Sequence, residues 1–152
     1  MGYNLNAFLG RPDELKIIET RFRTSKVIQL TSDIALIPMT EELFDEINNY
    51  RTGNDIGRWQ FLTGNVEKEI LALVGNDMVA YFEVDYFGGV GGQSGIIWKE
   101  RTRIFEMESQ QDVVNAILRQ FGVVKEKGKR DEFDTVGLGR QRKTEDWISE
   151  TE

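Results

Sequence analysis

Carboxylates have the greatest capacity for chemistry in this chain, because it contains no histidine and no cysteine. The commonest general base, thiolate nucleophiles and the usual sulfur ligands of metals are therefore absent. Asp131, Glu132 and Asp134 form one acidic group. Glu83 and Asp85 lie two residues apart in a strand-like stretch, which predicts both side chains on one strand face about 7 Å apart. That separation suits glycoside hydrolysis or a magnesium site.

Ion pairing and solvation account for these carboxylates without catalysis. Lys99 and Arg101 on the following strand are expected opposite Glu83 and Asp85, and solvent accommodates the second acidic group. Ser94 has no histidine to activate it as a nucleophile. We therefore predict no catalytic residue, no metal site and no cofactor, and we favour a protein that is not an enzyme. A carboxylate-dependent hydrolase is the alternative.

Glycine is concentrated in one short segment, where five of the fifteen glycines fall within residues 88–95. The segment lacks the Lys-Ser or Lys-Thr pair of a phosphate-binding P-loop, and a partial G-x-G-x-x-G pattern ends on serine. Turn geometry in a wide hairpin loop is the simpler interpretation, with core positions for the flanking aromatic residues. A ligand-contacting loop is the alternative, because aromatic and polar side chains surround exposed backbone. The candidate binding residues are Tyr86, Gly88, Gly89, Gly91, Gly92, Gln93, Ser94 and Trp98.

The segment Tyr86–Gln93, with its YFGG run and the later Trp98, resembles a glycine-rich hairpin of small uncharacterised bacterial proteins. Some of those proteins are immunity proteins that neutralise toxins. The resemblance covers about a tenth of the chain and includes no defining functional residue. It therefore implies a bacterial binding protein without assigning a site.

The charge indicates the kind of partner. The net charge is −7, which favours a basic protein partner and makes nucleic acid unfavourable. A charged segment near 124–132 is expected to be solvated and mobile.

The longest apolar run, Ile70–Val74, is too short to cross a membrane, and no secretory signal follows Met1. We predict a cytoplasmic, non-enzymatic binding protein for a protein partner. The alternatives are a small-molecule or sugar-binding protein, or a hydrolase, that uses residues 88–95, and a structural subunit of an assembly. The oligomeric state is left open.

The hydrophobic pattern predicts a single α+β domain over residues 1–152, with a frayed C-terminus. A mainly antiparallel sheet has the glycine-loop hairpin at its centre and three or four helices on one face. The strands are expected at 3–9, 27–30, 34–37, 78–87, 95–101 and 104–107.

Helix starts and stops follow from capping residues. The first helix begins at Pro12, and a short last one is capped by Thr144 and anchored by Trp147. The others are expected to start at Thr40, Asn65 and Ser109 and to end at Gly53, Gly75 and Gly122 respectively.

Overall fold

A computed structural model describes residues 2–49 and 59–150, and its centre is one open antiparallel sheet. The strands are β1 (Gly2–Gly10), β2 (Ile28–Gln29), β3 (Ala35–Pro38), β4 (Val79–Phe87), β5 (Val90–Lys99) and β6 (Thr102–Gln110). Their order across the sheet is β2-β3-β1-β4-β5-β6, so β4 lies between the N-terminal strand and β5. The predicted α+β class is confirmed.

The described residues form six α-helices and one 3-10 helix. A helix lies near each of the five predicted starts, and the two elements that were not predicted, at Glu132–Thr135 and Leu138–Arg140, are too short to show a hydrophobic period in the sequence. The helices are α1 (Pro12–Arg21), α2 (Glu41–Asn48), α3 (Gly64–Val74), α4 (Val113–Gln120), α5 (Glu132–Thr135) and α6 (Thr144–Ser149), with the 3-10 helix at Leu138–Arg140. No helix among the described residues is long and apolar enough to cross a membrane.

Helices cover both faces of the sheet, so the prediction of cover on one face is wrong. On one side, here face A, Phe82 and its neighbours pack with α4, the 3-10 helix and α6. On the other, face B, Phe8 and Tyr81 pack with α1, α2 and α3. The reason lies in β4, which begins with the unbroken apolar run Val79–Phe82 and so presents apolar side chains to both sides.

The hairpin of β4 and β5 is longer than predicted. Phe87 lies opposite Val90, and Gly88 and Gly89 alone form the turn. The predicted start of the second strand at Gly95 is therefore wrong, because residues 90–94 also pair with β4. This register also overturns the predicted ion pairs. Ser94 lies opposite Glu83, and Lys99 is five residues farther on, roughly 17 Å along the strand.

Three helix ends differ from the predictions. Helix α2 ends at Asn48 and is followed by Asn49 in the left-handed conformation, while Tyr50 and Gly53 lie outside the described residues. Thr63, rather than Asn65, accepts the capping bond of α3 from the Val66 N–H. A threonine one residue before glycine is an equally good cap, and tertiary packing decides between the two.

The start of α4 is also different from the prediction. Ser109 belongs to β6, and the helix begins at Val113 after Asp112, whose side chain makes no capping bond. The first helix begins at Pro12 as expected, and Trp147 of the last helix is fully buried. The prediction that Thr144 caps the last helix is wrong, because Thr144 is its first residue after Lys143 and the Thr144 hydroxyl accepts from the Asn6 N–H at 3.1 Å. The segment near 124–132 is exposed from residue 124 to 130, and its mobility stays a prediction.

Candidate functional site

The clustered glycines serve three different architectural purposes. Gly88 and Gly89 have φ of 61° and 82° and open space around them, as the two-residue turn of a hairpin requires. A Cβ on Gly91 would overlap the Asp85 carbonyl oxygen. A Cβ on Gly95 would lie 2.5 Å from Ile117 Cδ1, so this glycine lets α4 approach the sheet closely. Turn geometry and close packing therefore explain most of the cluster.

Tyr86, Gln93 and Ser94 take part in a hydrogen-bond network that joins β5 to its neighbours. Gln93 Oε1 accepts from the Val114 N–H at 2.9 Å and so caps α4 from the sheet. Gln93 Nε2 donates to the Tyr86 hydroxyl at 3.2 Å, and that hydroxyl donates to Gln111. Ser94 Oγ accepts from the backbone N–H of Ser109 in β6.

Trp98 lies in the core and is separated from the other candidate residues. Its side chain is fully buried on face B, and its indole N–H donates to Glu67 at 2.8 Å. Tyr86 and Gln93 lie on face A. The structure therefore divides the predicted binding residues between opposite faces, and they do not form one surface.

Exposed apolar side chains lie at the tip of the hairpin, on either side of its turn. Phe87 and Val90 face each other across the strands and are each 78% exposed. We call this pair the hairpin tip. Both side chains lie on face B, in line with Asp85, which is also exposed. The glycines between these two residues were predicted to bind a ligand, but Phe87 and Val90 themselves were not. An aromatic and a β-branched residue beside a hairpin turn are a signal that the sequence does contain.

An acidic cleft opens on face B beside the hairpin tip. Its volume is about 370 Å³, and its charged lining consists of Glu41, Glu42 and Glu145; none of its described lining residues is Lys or Arg. Asn4 also lines it, two residues along β1 from Gly2, the partner of Phe87. Asn4 in the cleft lining is therefore about 7 Å along β1 from the residue that lies opposite Phe87. The rest of its described lining comprises two further amides and three other side chains: Asn6, Gln60, Met39, Phe61 and Thr144.

Glu83 has a structural role that occupies its carboxylate. It accepts from the backbone N–H groups of Gln60 and Phe61 at 2.7 and 2.8 Å and from the Tyr81 hydroxyl at 2.7 Å. Burial first, and then the Glu83 charge, raise the pKa of that hydroxyl well above its ordinary value. Within the part of the chain that the structure describes, no three carboxylates converge on a metal position. Glu83 thus holds a connecting segment against the sheet.

A second cavity, of about 230 Å³, opens on face A where β1, β4 and β5 meet α4 and α5. We call it the aromatic pocket. Three rings line it, from Tyr3, Tyr86 and Phe133, and the Tyr3 and Phe133 rings meet edge to face at 5.5 Å. Its polar lining comes from Gln93, Asn115 and Asp131. All six side chains are partly exposed, so solvent reaches the cavity.

Three of these six residues were singled out from sequence: Tyr86 and Gln93 as candidate binding residues of the glycine segment, and Asp131 as a member of an acidic group. Tyr3 and Phe133 are 130 residues apart, and no local pattern connects them. No family model, curated protein or solved structure matches this chain.

Proposed function

We propose that this protein is a non-enzymatic binding protein that recognises a basic protein partner through its hairpin tip and acidic cleft. The observation that carries the proposal is the exposure of Phe87 and Val90, which lie side by side at the end of a rigid hairpin. Neighbouring exposed apolar side chains beside polar residues are typical of protein-binding surfaces.

The hairpin tip is suited to contact because its geometry is fixed before binding. Nine paired positions hold β4 against β5, and two glycines close the turn without a side chain that would block a partner. Burying a Phe or a Val side chain contributes roughly 1.5–3 kcal/mol each. Little conformational entropy is lost when such a preorganised element binds.

The acidic cleft supplies the preference for a basic partner. Two of its three glutamates, Glu41 and Glu42, belong to α2, which packs on the same face as Asp85 and the hairpin tip, and the whole chain carries a net charge of −7. Lys or Arg side chains of the partner would enter the cleft while apolar side chains cover Phe87 and Val90. Electrostatic attraction of this kind raises the association rate and is screened by salt.

Toxin neutralisation, implied by the resemblance of the hairpin to immunity proteins, is one form of such binding. A location in the cytoplasm and a bacterial origin belong to the same proposal. A carboxylate-dependent hydrolase is less well supported, because the Glu83 carboxylate already accepts three hydrogen bonds. Small-molecule binding is the second candidate, favoured by the aromatic pocket on the opposite face.

The experiment compares three immobilised proteins in an extract of the source organism at low ionic strength. These are the wild type, the double variant Phe87→Asp/Val90→Asp, and the control Val124→Asp. Val124 is an isolated apolar residue that is 81% exposed, so its substitution makes a similar change outside the hairpin tip. We expect a basic protein retained by the wild type and the control but lost by the tip variant.

Binding of the purified partner is then measured by calorimetry at increasing salt. The double variant Glu41→Gln/Glu42→Gln should weaken it, whereas Asp13→Asn/Asp33→Asn, which removes the same charge outside the cleft, should have a smaller effect. The proposal fails if all three immobilised proteins retain the same set, or if the captured protein binds independently of salt.

A further inference from the structure

We propose that the aromatic pocket binds an organic ammonium group, such as the trimethylammonium head of choline. The pocket lies on face A, whereas the hairpin tip and acidic cleft lie on face B, so this inference does not rest on the proposed function. It follows from what the lining side chains still offer once their internal hydrogen bonds are made.

The two tyrosines present their rings to the pocket, because their hydroxyls are already bonded to protein acceptors. The Tyr3 hydroxyl donates to the Leu138 carbonyl at 2.7 Å, and the Tyr86 hydroxyl donates to Gln111 Oε1 at 2.6 Å. With Phe133 they make a lining of three aromatic rings. The face of an aromatic ring carries partial negative charge and attracts a cation within about 6 Å of the ring centre.

The polar side chains retain mainly acceptor capacity. Asn115 uses both of its N–H groups, on Asp112 at 2.7 Å and on Asp131 at 3.2 Å. Each oxygen of Asp131 accepts one bond, from the Asp134 N–H and from Asn115, and a carboxylate can accept about four. The unused lone pairs of Asp131 are therefore available to a ligand, and Gln93 offers only the second N–H of its amide.

Charge excludes the other ligand classes. Among the described residues lining the pocket, Asp131 is the one charged side chain, so an anion would be repelled. A sugar needs several donors as well as acceptors, whereas the second N–H of Gln93 is the one donor that the described lining side chains leave unused. A purely apolar ligand would cover the carboxylate without pairing it. The N-terminus of α4 borders the pocket, but the Val114 N–H is already bonded to Gln93. An ammonium cation satisfies both the rings and the carboxylate.

The pocket is also small and preformed. Its volume of about 230 Å³ lies below the range of drug-sized ligands, as suits a small cationic head group. Hydrogen bonds fix its walls, since Phe133 N–H donates to Asn115 Oδ1 at 2.7 Å and Gln93 links β5 to α4. Binding therefore needs no rearrangement of the backbone.

The test is a titration of the wild-type protein with choline chloride and with its neutral carbon analogue 3,3-dimethyl-1-butanol, at constant ionic strength. Amide chemical shifts of Asn115 and Gln93 are followed by NMR. We expect saturable shifts with choline and at least tenfold weaker binding of the neutral alcohol. N-acetyl-trimethyllysine amide, in a third arm, shows whether a lysine-type side chain carries the same head group into the pocket.

Matched variants identify the groups responsible. Phe133→Leu should weaken choline binding about tenfold, and Phe105→Leu, a partly buried phenylalanine of the same cluster outside the pocket, should not. Asp131→Asn keeps an oxygen to cap α5 but removes the charge, so it should weaken choline binding. Its control, Asp134→Asn, removes the same charge outside the pocket and should not. The proposal would be overturned if the wild type bound choline and the neutral alcohol equally well. It would also be overturned if neither choline nor the lysine derivative produced a saturable shift, whatever the variants do.

Discussion

Gly91 is the residue at which this fold least tolerates a side chain. Its φ is 156°, and a Cβ there would overlap the Asp85 carbonyl oxygen and lie 2.8 Å from the Tyr86 Cα. These neighbours are backbone atoms of a central strand, so they cannot move without disturbing the ladder of β4 and β5. The neighbouring Gly92 is different, because its Cβ would meet Ser109 at an ordinary 3.5 Å.

We expect Gly91→Ala to lower the free energy of unfolding by about 3 kcal/mol, the sum of overpacking and backbone strain. Gly92→Ala, its control in the same strand, should cost less than about 1 kcal/mol. Urea denaturation measures both. Similar losses in the two variants would mean that the hairpin adjusts to a side chain at Gly91 and that the close approach to Asp85 is not a constraint.

Gln93 connects two elements, since it lies in β5 and caps α4. Asp112 precedes the helix with φ 63° and makes no side-chain cap, so the sheet supplies the acceptor that the helix lacks. Gly95, two residues later, lets the same helix close onto the strand, with its Cβ position 2.7 Å from Val113 Cγ1. Together these two residues set the position of α4 on face A.

Gln93→Leu should therefore destabilise the protein by about 1–2 kcal/mol, as the loss of a helix cap does. Gln93→Glu retains an acceptor for the Val114 N–H and places a negative charge at a helix N-terminus, so it should recover most of that loss. Urea denaturation of both variants checks the prediction. If Glu is no better than Leu at this position, the bond from Val114 is not what the glutamine contributes.

Across the molecule, Glu67 joins α3 to two strands. Its carboxylate accepts from Arg103 Nε at 2.6 Å and from a second guanidinium nitrogen at 2.7 Å, and it also accepts from the indole of the buried Trp98. The bonds from Arg103 are the main reason that the pKa of Glu67 lies below its ordinary value of 4.5, while burial opposes this shift. The stability that Glu67 contributes is therefore present above about pH 4.5 and is lost as the pH falls through its lower pKa in the folded protein.

Glu67→Gln should lower the free energy of unfolding at pH 7 by about 2 kcal/mol, since it weakens charge-assisted hydrogen bonds. The difference from the wild type should shrink as the pH is lowered from 5 to 3. Glu69→Gln, on the same helix, is the control. Denaturation curves at several pH values provide the measurement, and a constant difference across this range would contradict the assigned role.

At the same scale, the α+β class, most strand positions and the helices at Pro12 and Thr40 follow from hydrophobic alternation and the residues at helix starts. The last helix was also predicted, although Thr144 is its first residue and not its cap. The apolar run Val79–Phe82 also indicated that helices cover both faces of the sheet, although we expected them on one face. The start of β5 at Val90 could not be predicted from sequence. Glycines have a low strand propensity, and those of β5 are held in the strand by their pairing with β4.

The candidate sites were less accessible from sequence. Phe87 and Val90 stand beside the predicted residues, but only the register shows that they pair and are exposed. The aromatic pocket joins Tyr3 to Phe133 through the order of strands and the docking of α5, which no local spacing encodes. Trp98 was listed as a candidate binding residue, with a core position as the simpler interpretation. The core position is the one observed, because Trp98 lies at the end of β5 away from the turn.

The division of the core by the sheet gives each layer its own optical probe. Trp147 is enclosed in the layer on face A, and Trp98 and Trp59 lie in the layer on face B. The fluorescence of a variant that keeps only Trp147 or only Trp98 therefore senses water entering one side of the sheet and not the other. Whether the two layers melt as one cooperative unit can be read from the molecule's own chromophores, without attaching a label.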